Sequence, residues 1–390
     1  MITVAQARAA LFDLIETLPA QQVPLTEAAG RVLAQDAVAR RDQPPFAAAS
    51  MDGYAVKTAE VELHAMFKVI GEAAAGHRFD GTVGAGQAVR IFTGAPVPQG
   101  ADRVVIQEDV SRSGDLITIT DDPGTKHNIR PAGGDFRTGD SLTAPRRLTP
   151  QDVALLASMN IARVPVVRKP QVAILATGDE LVMPGEDPGP DQIIASNSFG
   201  LKAMLEGLGA RVRLLPIARD THASLRMAFE LATGADLIVT IGGASVGDHD
   251  LVAAVAADLG LDRAFYKVAM RPGKPLMAGR LNGAAMVGLP GNPVSAMICG
   301  QVFLAPMIRA MQGLGRAAAP LQRARLAQDI GANGPREHYM RAILRDGAIS
   351  PFDNQDSSLL TVLSRANALL VRPAGDAARS AGAQVDYLPL

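Results

Sequence analysis

The chain has 390 residues, 48% of them apolar, and a net charge of -1, and its length predicts two to four domains of about 100 to 150 residues each. The aromatic content of 4% and the lack of Trp argue against a nucleic-acid groove, which needs a basic stripe and stacking rings. Cys299 is the only cysteine, which excludes an intrachain disulfide and a thiolate metal cluster, so any bound metal is expected to use oxygen or imidazole ligands.

The N-terminal segment predicts a helix within residues 1–18. Thr3 and Gln6 have the spacing of a capping box, and charged residues interrupt the apolar positions that follow. Such a segment is not a secretory signal peptide, so we expect a cytoplasmic protein. Helical structure is expected to continue to about residue 41, with a second helix opening at residues 26–29.

Residues 46–137 predict a small, mostly β domain that is inserted into this helical part. Short β-prone runs alternate there with Gly/Pro loops, at residues 67–70, 88–92, 103–106 and 116–120. Helical structure is expected to return at Thr149 and Pro150, because a capping residue is followed there by a proline at the first helical position.

The next part of the chain predicts a parallel sheet with crossover helices. Predicted strands at residues 172–176, 212–217 and 237–241 alternate with predicted helices at residues 197–208 and 222–231. Sheets of this kind bind their ligands in a crevice beyond the carboxyl ends of the strands.

A hairpin and a core helix are expected after this alternation. Asn282 and Gly283 stand between two β-prone runs, which predicts a two-residue turn and one antiparallel pair in the sheet. Residues 281–308 carry no charge, but polar and turn-forming residues interrupt the first half. This stretch therefore predicts a buried hairpin and a core helix rather than a membrane span.

The predicted fold class is α/β with several domains. We expect a helical N-terminal domain (residues 1–45 and 138–168), an inserted mostly-β domain (46–137), a parallel-sheet domain (169–316) and a small C-terminal β domain (317–390).

Three glycine-rich loops, each after an apolar run, carry the functional signal: residues 177–180, 242–250 and 290–295. Glycines let backbone N–H groups approach an anion, and a helix that begins just after the loop adds the positive end of its dipole. Two of the loops also carry carboxylates, which would repel phosphate unless a divalent cation stood between them. The loops therefore predict a crevice that binds phosphate together with Mg²⁺.

The acidic residues of these loops also have a purely structural interpretation. Asp179 can cap a turn and leave Glu180 in solvent. Asp248 and Asp250 precede a predicted helix, where carboxylates are favourable caps. Capping does not explain the glycines before them, so we favour the functional interpretation of that loop.

Other candidates are open between two interpretations. Lys267, Arg271 and Lys274 form either a cationic loop that neutralises phosphate oxygens or a solvated run of charge. Asp52 and Thr93, read alone, are turn residues of the β domain.

Taken together, these segments resemble the molybdopterin molybdenumtransferases, the molybdenum insertases related to the E domain of gephyrin. The resemblance spans nearly the whole chain, and eight motifs occur in the family's order: residues 50–55, 93–95, 100–102 with Glu108, 128–135, 177–181, 242–250, 271–275 and 289–295.

The resemblance implies a parallel-sheet domain that binds molybdopterin and an elongated homodimer whose active site is shared between subunits. It implies that adenylylated molybdopterin and molybdate react to give the molybdenum cofactor and AMP, with Mg²⁺ as cofactor. The adenylyltransferase that supplies this substrate is a further candidate partner. Because the pterin dithiolene brings the sulfur ligands of molybdenum, one cysteine is sufficient.

The resemblance also implies roles for the residues at matching motif positions. Roles in catalysis are implied for Asp52, Thr93, Asp135, Glu180, Asp220, Asp250, Lys267 and Arg271. Substrate binding is implied for Gly178, Asp179, Gly242, Gly243, Ser245, Gly247, Asp248, Lys274, Pro290, Gly291, Asn292, Pro293 and Ser295. Glu180 and Asp250 are the implied ligands of Mg²⁺.

The chain departs from the family pattern at a few positions. Ala47, Gly134 and Ala195 stand where relatives often have polar or acidic residues. Arg271 stands where a lysine is common, which keeps the charge but changes its geometry. Residues 355–358 match a Gln-Gly-Ser pattern only loosely.

Two other functions use the same glycine loops or the same fold. Molybdopterin adenylyltransferases and nucleotide pyrophosphatases of the competence-damage type share the sheet, but they lack the inserted domain with Asp52 and Thr93. A non-catalytic scaffold, like the gephyrin E domain in receptor clustering, is the other alternative. The carboxylates and cations around the crevice argue against scaffolding alone.

Overall fold

The computed structural model describes residues 1–243 and 251–390, which form two compact units. The larger unit comprises Met1–Gln21, Gly30–Ala34 and Val166–Leu390, and the smaller unit comprises Gln22–Ala29 and Gln35–Pro165. The chain therefore passes between the units four times. The division into four domains remains a prediction.

A six-stranded sheet forms the centre of the smaller unit. Its strands are, in spatial order, Arg103–Ile106, Gly53–Val56, Gln87–Ile91, Met66–Ala73, Leu116–Ile119 and Val110–Ser113. Neighbours are antiparallel except Met66–Ala73 and Gln87–Ile91, which are parallel. Apolar side chains pack on both faces, around Val89 on one and around Phe67 on the other. The predicted β-prone runs are thus confirmed as strands.

Shorter elements complete the smaller unit and its connections. Ala48–Ala49 pairs with Ile129–Arg130, and Ala37–Val38 pairs with Ser141–Leu142. Further short strands are Ala20–Pro24, Val32–Leu33, Arg146–Arg147 and Arg163–Val167. The predicted helix is present as Pro150–Ser158, with a capping box between Thr149 and Asp152.

The prediction that helical structure continues to about residue 41, with a second helix opening at residues 26–29, is wrong. The first helix, Val4–Asp13, has the expected capping box, but the segment after it contains short strands and a single helical turn, Leu25–Glu27. Val32 and Leu33 are adjacent and both are buried, whereas the buried positions of a surface helix recur every three or four residues. Gly30, with φ of 74°, separates the helical turn from these residues.

A second six-stranded sheet forms the centre of the larger unit. Its strands are, in spatial order, Arg211–Leu214, Gln171–Ala176, Leu237–Ile241, Ala284–Leu289, Met277–Leu281 and Asp262–Tyr266. The first four are parallel, and Met277–Leu281 is antiparallel to both of its neighbours. Asn282 and Gly283, with φ of 49° and 84°, form the turn of the predicted hairpin. The parallel sheet is confirmed, with two antiparallel pairings rather than one.

Helices cover both faces of this sheet. Val4–Asp13, Asn197–Gly207 and Pro293–Met311 contribute to the core on one face, and His222–Leu231 and Leu251–Asp258 to the core on the other. Their apolar residues enclose the sheet strands in a three-layer arrangement.

The helical segment Pro293–Met311 is the predicted core helix. It consists of Pro293–Cys299, a π-helical turn at Gly300–Leu304, and Ala305–Met311. By length and composition it could cross a membrane, but 83% of its most apolar window is buried within the protein.

A closed sheet forms the C-terminal part of the larger unit. Glu337–Arg345, Ala348–Pro351, Gln322–Leu326, Gln384–Pro389 and Ala368–Arg372 pair in succession, and the last of them pairs with the first. The short strand Met270–Arg271 adds to Glu337–Arg345 in parallel, and Leu360–Arg365 is a short helix. The predicted C-terminal β domain is therefore present as a small barrel.

The helix His222–Leu231 provides a matched test of packing in the larger unit. Leu225 is 0% exposed, and Met227 in the same helix is 65% exposed. We expect Leu225→Ala to lower the free energy of unfolding by about 2–5 kcal/mol, and Met227→Ala by less than about 0.5 kcal/mol. Urea unfolding followed by circular dichroism measures both, and equal losses would contradict this packing.

Candidate active site

Three neighbouring strands of the larger sheet end side by side. Ala176 is the register partner of Ile241, and Ile241 is the register partner of Leu289. Because these strands are parallel, the loops that follow them leave the sheet at the same edge. The backbone ladder therefore brings together three chain segments that are distant in sequence.

A crevice of about 1290 Å³ lies at this edge. It is lined by backbone and side chains of the described parts of all three glycine loops. The predicted site residues that line it are Gly178, Glu180, Asp220, Gly242, Gly243, Pro290, Gly291, Asn292 and Pro293. Ser245, Gly247, Asp248 and Asp250 lie outside the described residues.

The protein's own packing requires two of the glycines. Gly242 has φ of 90°, and a Cβ atom there would lie 2.7 Å from the carbonyl oxygen of Thr177. Gly243 has φ of 68°, and its Cβ atom would lie 2.2 Å from Cγ2 of Val252. A side chain at either position would be strained and would clash. Ligand approach is therefore not needed to explain these two glycines.

Carboxylates gather at one side of the crevice. The backbone N–H of Asp220 donates to Oδ1 of Asp179 over 3.2 Å. Partial desolvation, and then the negative charges of Asp179 and Glu180, raise the pKa of Asp220 above its usual range. Acidic side chains therefore lie near one another on this side of the crevice, and their repulsion disfavours the charged form of Asp220.

Arg219 fixes the loop that carries these carboxylates. Its guanidinium donates to the carbonyl oxygens of Asp179 and Leu181, over 2.9 and 3.3 Å. Its two carbonyl acceptors lie about forty residues earlier in the chain, so sequence spacing did not reveal this role; the only signal was its position next to Asp220.

The third loop is held from two sides. Asn197 Nδ2 donates to the carbonyl oxygen of Gly291 over 2.7 Å. Asn292 Nδ2 donates to Ser357 Oγ over 3.0 Å, and the N–H of Val294 donates to the Ser357 carbonyl oxygen over 3.0 Å. The side chain of Asn292 thus binds a neighbouring segment and does not cap its own helix.

Residues 355–358, which match the family pattern only loosely, contribute to the crevice. Ser358 is one of its lining residues. Both the N–H and the hydroxyl of Ser358 donate to Oδ1 of Asp356, each over 2.8 Å. These two bonds hold the pKa of Asp356 below its usual range.

A buried arginine supports this segment from behind. Arg341 is 1% exposed, and its guanidinium donates to Oε1 of Gln355 and to the carbonyl oxygens of Leu359 and Asn354, over 3.3, 3.3 and 3.4 Å. All three acceptors belong to the segment beside the crevice. Because an unbonded buried guanidinium is very unfavourable, Arg341 restrains the conformation of that segment.

An apolar wall faces the polar loops. Leu181–Val182 and Ile193–Ile194 form a short parallel pair, and both isoleucines line the crevice. Ile193 is 59% exposed and Ile194 is 38% exposed. Sequence reasoning missed this wall, whose only signal is two adjacent isoleucines after a Pro/Gly-rich loop.

The cationic candidates are not among the described residues that line the crevice. Pro275 lines it, and Lys267, Arg271 and Lys274 precede Pro275 in the chain. The Lys267 ammonium lies 5.1 Å from the centroid of the Tyr266 ring, and its backbone has φ of 75°. Ser295 is buried at 4% exposure and is likewise not a lining residue.

In the smaller unit, Asp52 and Thr93 are in direct contact. Oδ1 of Asp52 accepts hydrogen bonds from the Thr93 N–H and hydroxyl, each over 2.7 Å. These bonds hold the pKa of Asp52 below its usual range. Asp135 lies in an exposed turn of the same unit, where its N–H donates to the Gln43 carbonyl oxygen over 2.9 Å.

Known proteins match this chain along nearly all of its length. Three family models match in succession: MoeA N-terminal region (domain I and II) over residues 2–160, probable molybdopterin binding domain over residues 173–310, and MoeA C-terminal region (domain IV) over residues 323–390. A molybdopterin molybdenumtransferase from Haemophilus influenzae is 39% identical over 320 residues, which cover 80% of this chain and 78% of that protein. The chain belongs to the molybdopterin molybdenumtransferase family.

Further members of the family are similar to this chain in sequence and in structure. A molybdopterin molybdenumtransferase from Nostoc sp. is 34% identical over 400 residues, covering 97% of this chain and 92% of that protein. The crystal structure of a molybdopterin biosynthesis moeA protein from Pyrococcus horikoshii has a TM-score of 0.85 and 28% identity, and the match covers 100% of both chains. The multidomain α/β fold is thus confirmed, and the chain is a transferase of molybdenum cofactor biosynthesis.

The raised pKa of Asp220 predicts a pH-dependent stability. The folded protein binds the Asp220 proton more tightly than the unfolded chain does, so this group favours folding at acidic pH and loses that contribution as the pH rises through its folded pKa. We therefore expect Asp220→Asn to give a small rise in Tm at pH 7 that disappears as the pH falls below the raised pKa.

Thermal unfolding between pH 4 and pH 8 measures this effect. Asp262→Asn is the control, because Asp262 is an exposed carboxylate on the edge strand Asp262–Tyr266. A rise of the same size in both variants, or a fall in Tm for Asp220→Asn at pH 7, would contradict the electrostatic account.

Proposed function

We propose that this chain inserts molybdenum from molybdate into adenylylated molybdopterin, forming the molybdenum cofactor and releasing AMP. One observation carries the proposal: parallel strand ends bring glycine loops and carboxylates into one crevice of about 1290 Å³. Pockets for small ligands have volumes of about 300–1,000 Å³, so the crevice has room for a nucleotide joined to a pterin. Membership in a family named for molybdenum transfer supports this substrate.

The lining residues suggest how the substrate is held. The pyrophosphate is proposed to bind where the glycine loops line the crevice, beside Gly243 and Gly291. Ile193 and Ile194 offer an apolar surface to a ring system, and Asn292 and Ser358 offer polar contacts. The chemistry then depends on positioning and electrostatics and needs no nucleophilic side chain. Lys267, Arg271 and Lys274 are proposed to neutralise charge that develops on the phosphate and molybdate oxygens.

We propose that Mg²⁺ is the cofactor. Among residues 1–243 and 251–390, no three side chains of His, Cys, Asp or Glu converge closely enough to hold a metal ion unaided. Mg²⁺ fits a different arrangement, because it usually binds one or two carboxylates and completes its shell with waters and phosphates. Glu180 and Asp220, with Asp250 from the loop outside the described residues, are the proposed carboxylates. A cation there would offset the desolvation of Asp220 and its repulsion by Asp179 and Glu180, which together raise the Asp220 pKa.

A homodimer with a shared active site is part of the proposal. The Asp52–Thr93 pair belongs to the smaller unit, and the crevice belongs to the larger unit. The family resemblance implies that both take part in one site, with Asp52 and Thr93 supplied by the partner subunit. A cytoplasmic location and contact with the adenylyltransferase that supplies the substrate complete the proposal.

Glu180 tests the reaction directly. Glu180→Gln keeps the size of the side chain but removes the charge proposed to hold Mg²⁺, so molybdate-dependent AMP release should fall by about 100-fold or more. AMP release from adenylylated molybdopterin is measured with and without molybdate. Glu230→Gln, an exposed glutamate of the helix His222–Leu231, should be unaffected. Unchanged AMP release in Glu180→Gln would rule out the proposed role.

Mixed dimers test the shared site. Asp52→Ala and Glu180→Ala proteins should each be inactive, because each lacks one part of every site. After subunit exchange, half of the mixed dimers' sites would contain neither substitution, so AMP release should return to about a quarter of the parent value at statistical exchange. Native mass spectrometry verifies the exchange. Exchange without recovery would contradict a site built from two subunits.

A further inference from the structure

Arg90 occupies the same sheet face as two aromatic rings. It lies on the strand Gln87–Ile91, where its register partner is Tyr54, and Phe92 follows two residues later. The guanidinium carbon lies 5.1 Å from the centroid of the Tyr54 ring and 4.7 Å from that of the Phe92 ring. Two rings within this distance attract and restrain a guanidinium.

Arg90 also closes a ring of hydrogen bonds around Asp52. Its Nη1 donates to the Gly53 carbonyl oxygen over 3.2 Å, and its Nη2 donates to Gln107 Oε1 over 2.5 Å. The N–H of Gln107 in turn donates to the Asp52 carbonyl oxygen over 3.1 Å. The carbonyl groups of Asp52 and Gly53 are therefore fixed by the Gln107 backbone N–H and by the Arg90 guanidinium, and the Gln107 side chain accepts from that same guanidinium.

The Asp52 carboxylate has one oxygen left for another partner. Both hydrogen bonds from Thr93 end on Oδ1, and no bond to Oδ2 is found from the part of the chain that the structure describes. The direction of Oδ2 is set by the backbone at Asp52 and by Thr93. Arg90 restrains that backbone and adds a positive charge that further lowers the pKa of Asp52.

We propose that Arg90 is a positioning residue, which aims the free carboxylate oxygen of Asp52 at the ligand of the shared site. This inference rests on the proposed function, in which Asp52 takes part in that site. A lysine could not replace Arg90, because the position uses two directional donors and a flat group between aromatic rings. Val89 and Ile91 belong to the core on the opposite face, whereas Tyr54 belongs to the core on the face of Arg90, so each Arg90 variant needs a check of folding.

Two substitutions separate the charge of Arg90 from its geometry. Arg90→Lys keeps the charge and loses the paired donors, and Arg90→Met loses both. We expect kcat for molybdate-dependent AMP release to fall by about tenfold or more in each, with KM for adenylylated molybdopterin changed by less than about twofold, because Asp52 would be misdirected and binding in the crevice would remain. Arg112→Met, on the edge strand Val110–Ser113 of the same sheet, should leave both constants unchanged.

The Asp52 carboxyl titration gives a second readout that does not need activity. By ¹³C NMR of the full chain, the Asp52 pKa should rise in Arg90→Met and should rise less in Arg90→Lys. Thr93→Val removes one of the two bonds to Oδ1 and is the positive control, with a clear rise. Circular dichroism and Tm verify that each variant is folded.

The outcomes distinguish the two proposals. If the parent protein releases no AMP, the proposed function fails, and the titration alone decides the role of Arg90. An unchanged Asp52 pKa in Arg90→Met overturns the positioning role, whatever the activity. An equal loss of kcat in Arg90→Met and Arg112→Met also overturns it, because that loss would reflect the sheet and not Asp52.

Discussion

The register of parallel strands is the constraint on which the candidate site depends. Ala176, Ile241 and Leu289 are joined in one row by backbone pairing. A shift of one strand by a single residue would turn its buried side chains to the opposite face, and these strands are buried on both faces. The cores on the two sides thus hold the register, and the register holds three loops at one edge.

The loops need restraints of their own beyond the end of the ladder. Arg219 binds the backbone of the first loop, and Asn197 and Ser357 bind the third. Ser357 is itself fixed through the segment that Arg341 supports. Arg219 and Asn197 donate from their side chains to backbone oxygens, and Ser357 accepts from the backbone N–H of Val294, so each restraint is a directional bond. Such bonds set the orientation of a loop, whereas apolar contacts set only its proximity.

The sequence predicted those parts of the protein that local pattern determines. The hairpin at Asn282 and Gly283, the helix His222–Leu231 and the apolar strand ending at Ala176 each have a strong local signal. Residues 14–41 have none, because their strands are too short for a period and are defined by distant partners such as Ser141–Leu142. The strand predicted at residues 212–217 ends at Leu214, before Pro216, which cannot donate to a ladder.

The candidate site, like the fold, could be predicted from the sequence only in part. Glycine loops after strands indicated the crevice, and the family resemblance directed attention to Asp52 and Thr93, which the structure brings into contact. Arg219, Arg341 and Arg90 could not be predicted, because most of their acceptors are backbone oxygens whose positions depend on the tertiary fold. Backbone acceptors have no residue type, so no sequence motif reports them.

Two unfavourable features occur where a ligand is proposed to bind. Asp220 shares its surroundings with two other carboxylates, and Ile193 and Ile194 are exposed. A divalent cation would offset the first and a ring system would cover the second. Both features lower the stability of the free protein, and both become favourable contacts in the complex. The crevice therefore has the energetic profile of a binding site, in which stability is lower where the ligand supplies the missing partner.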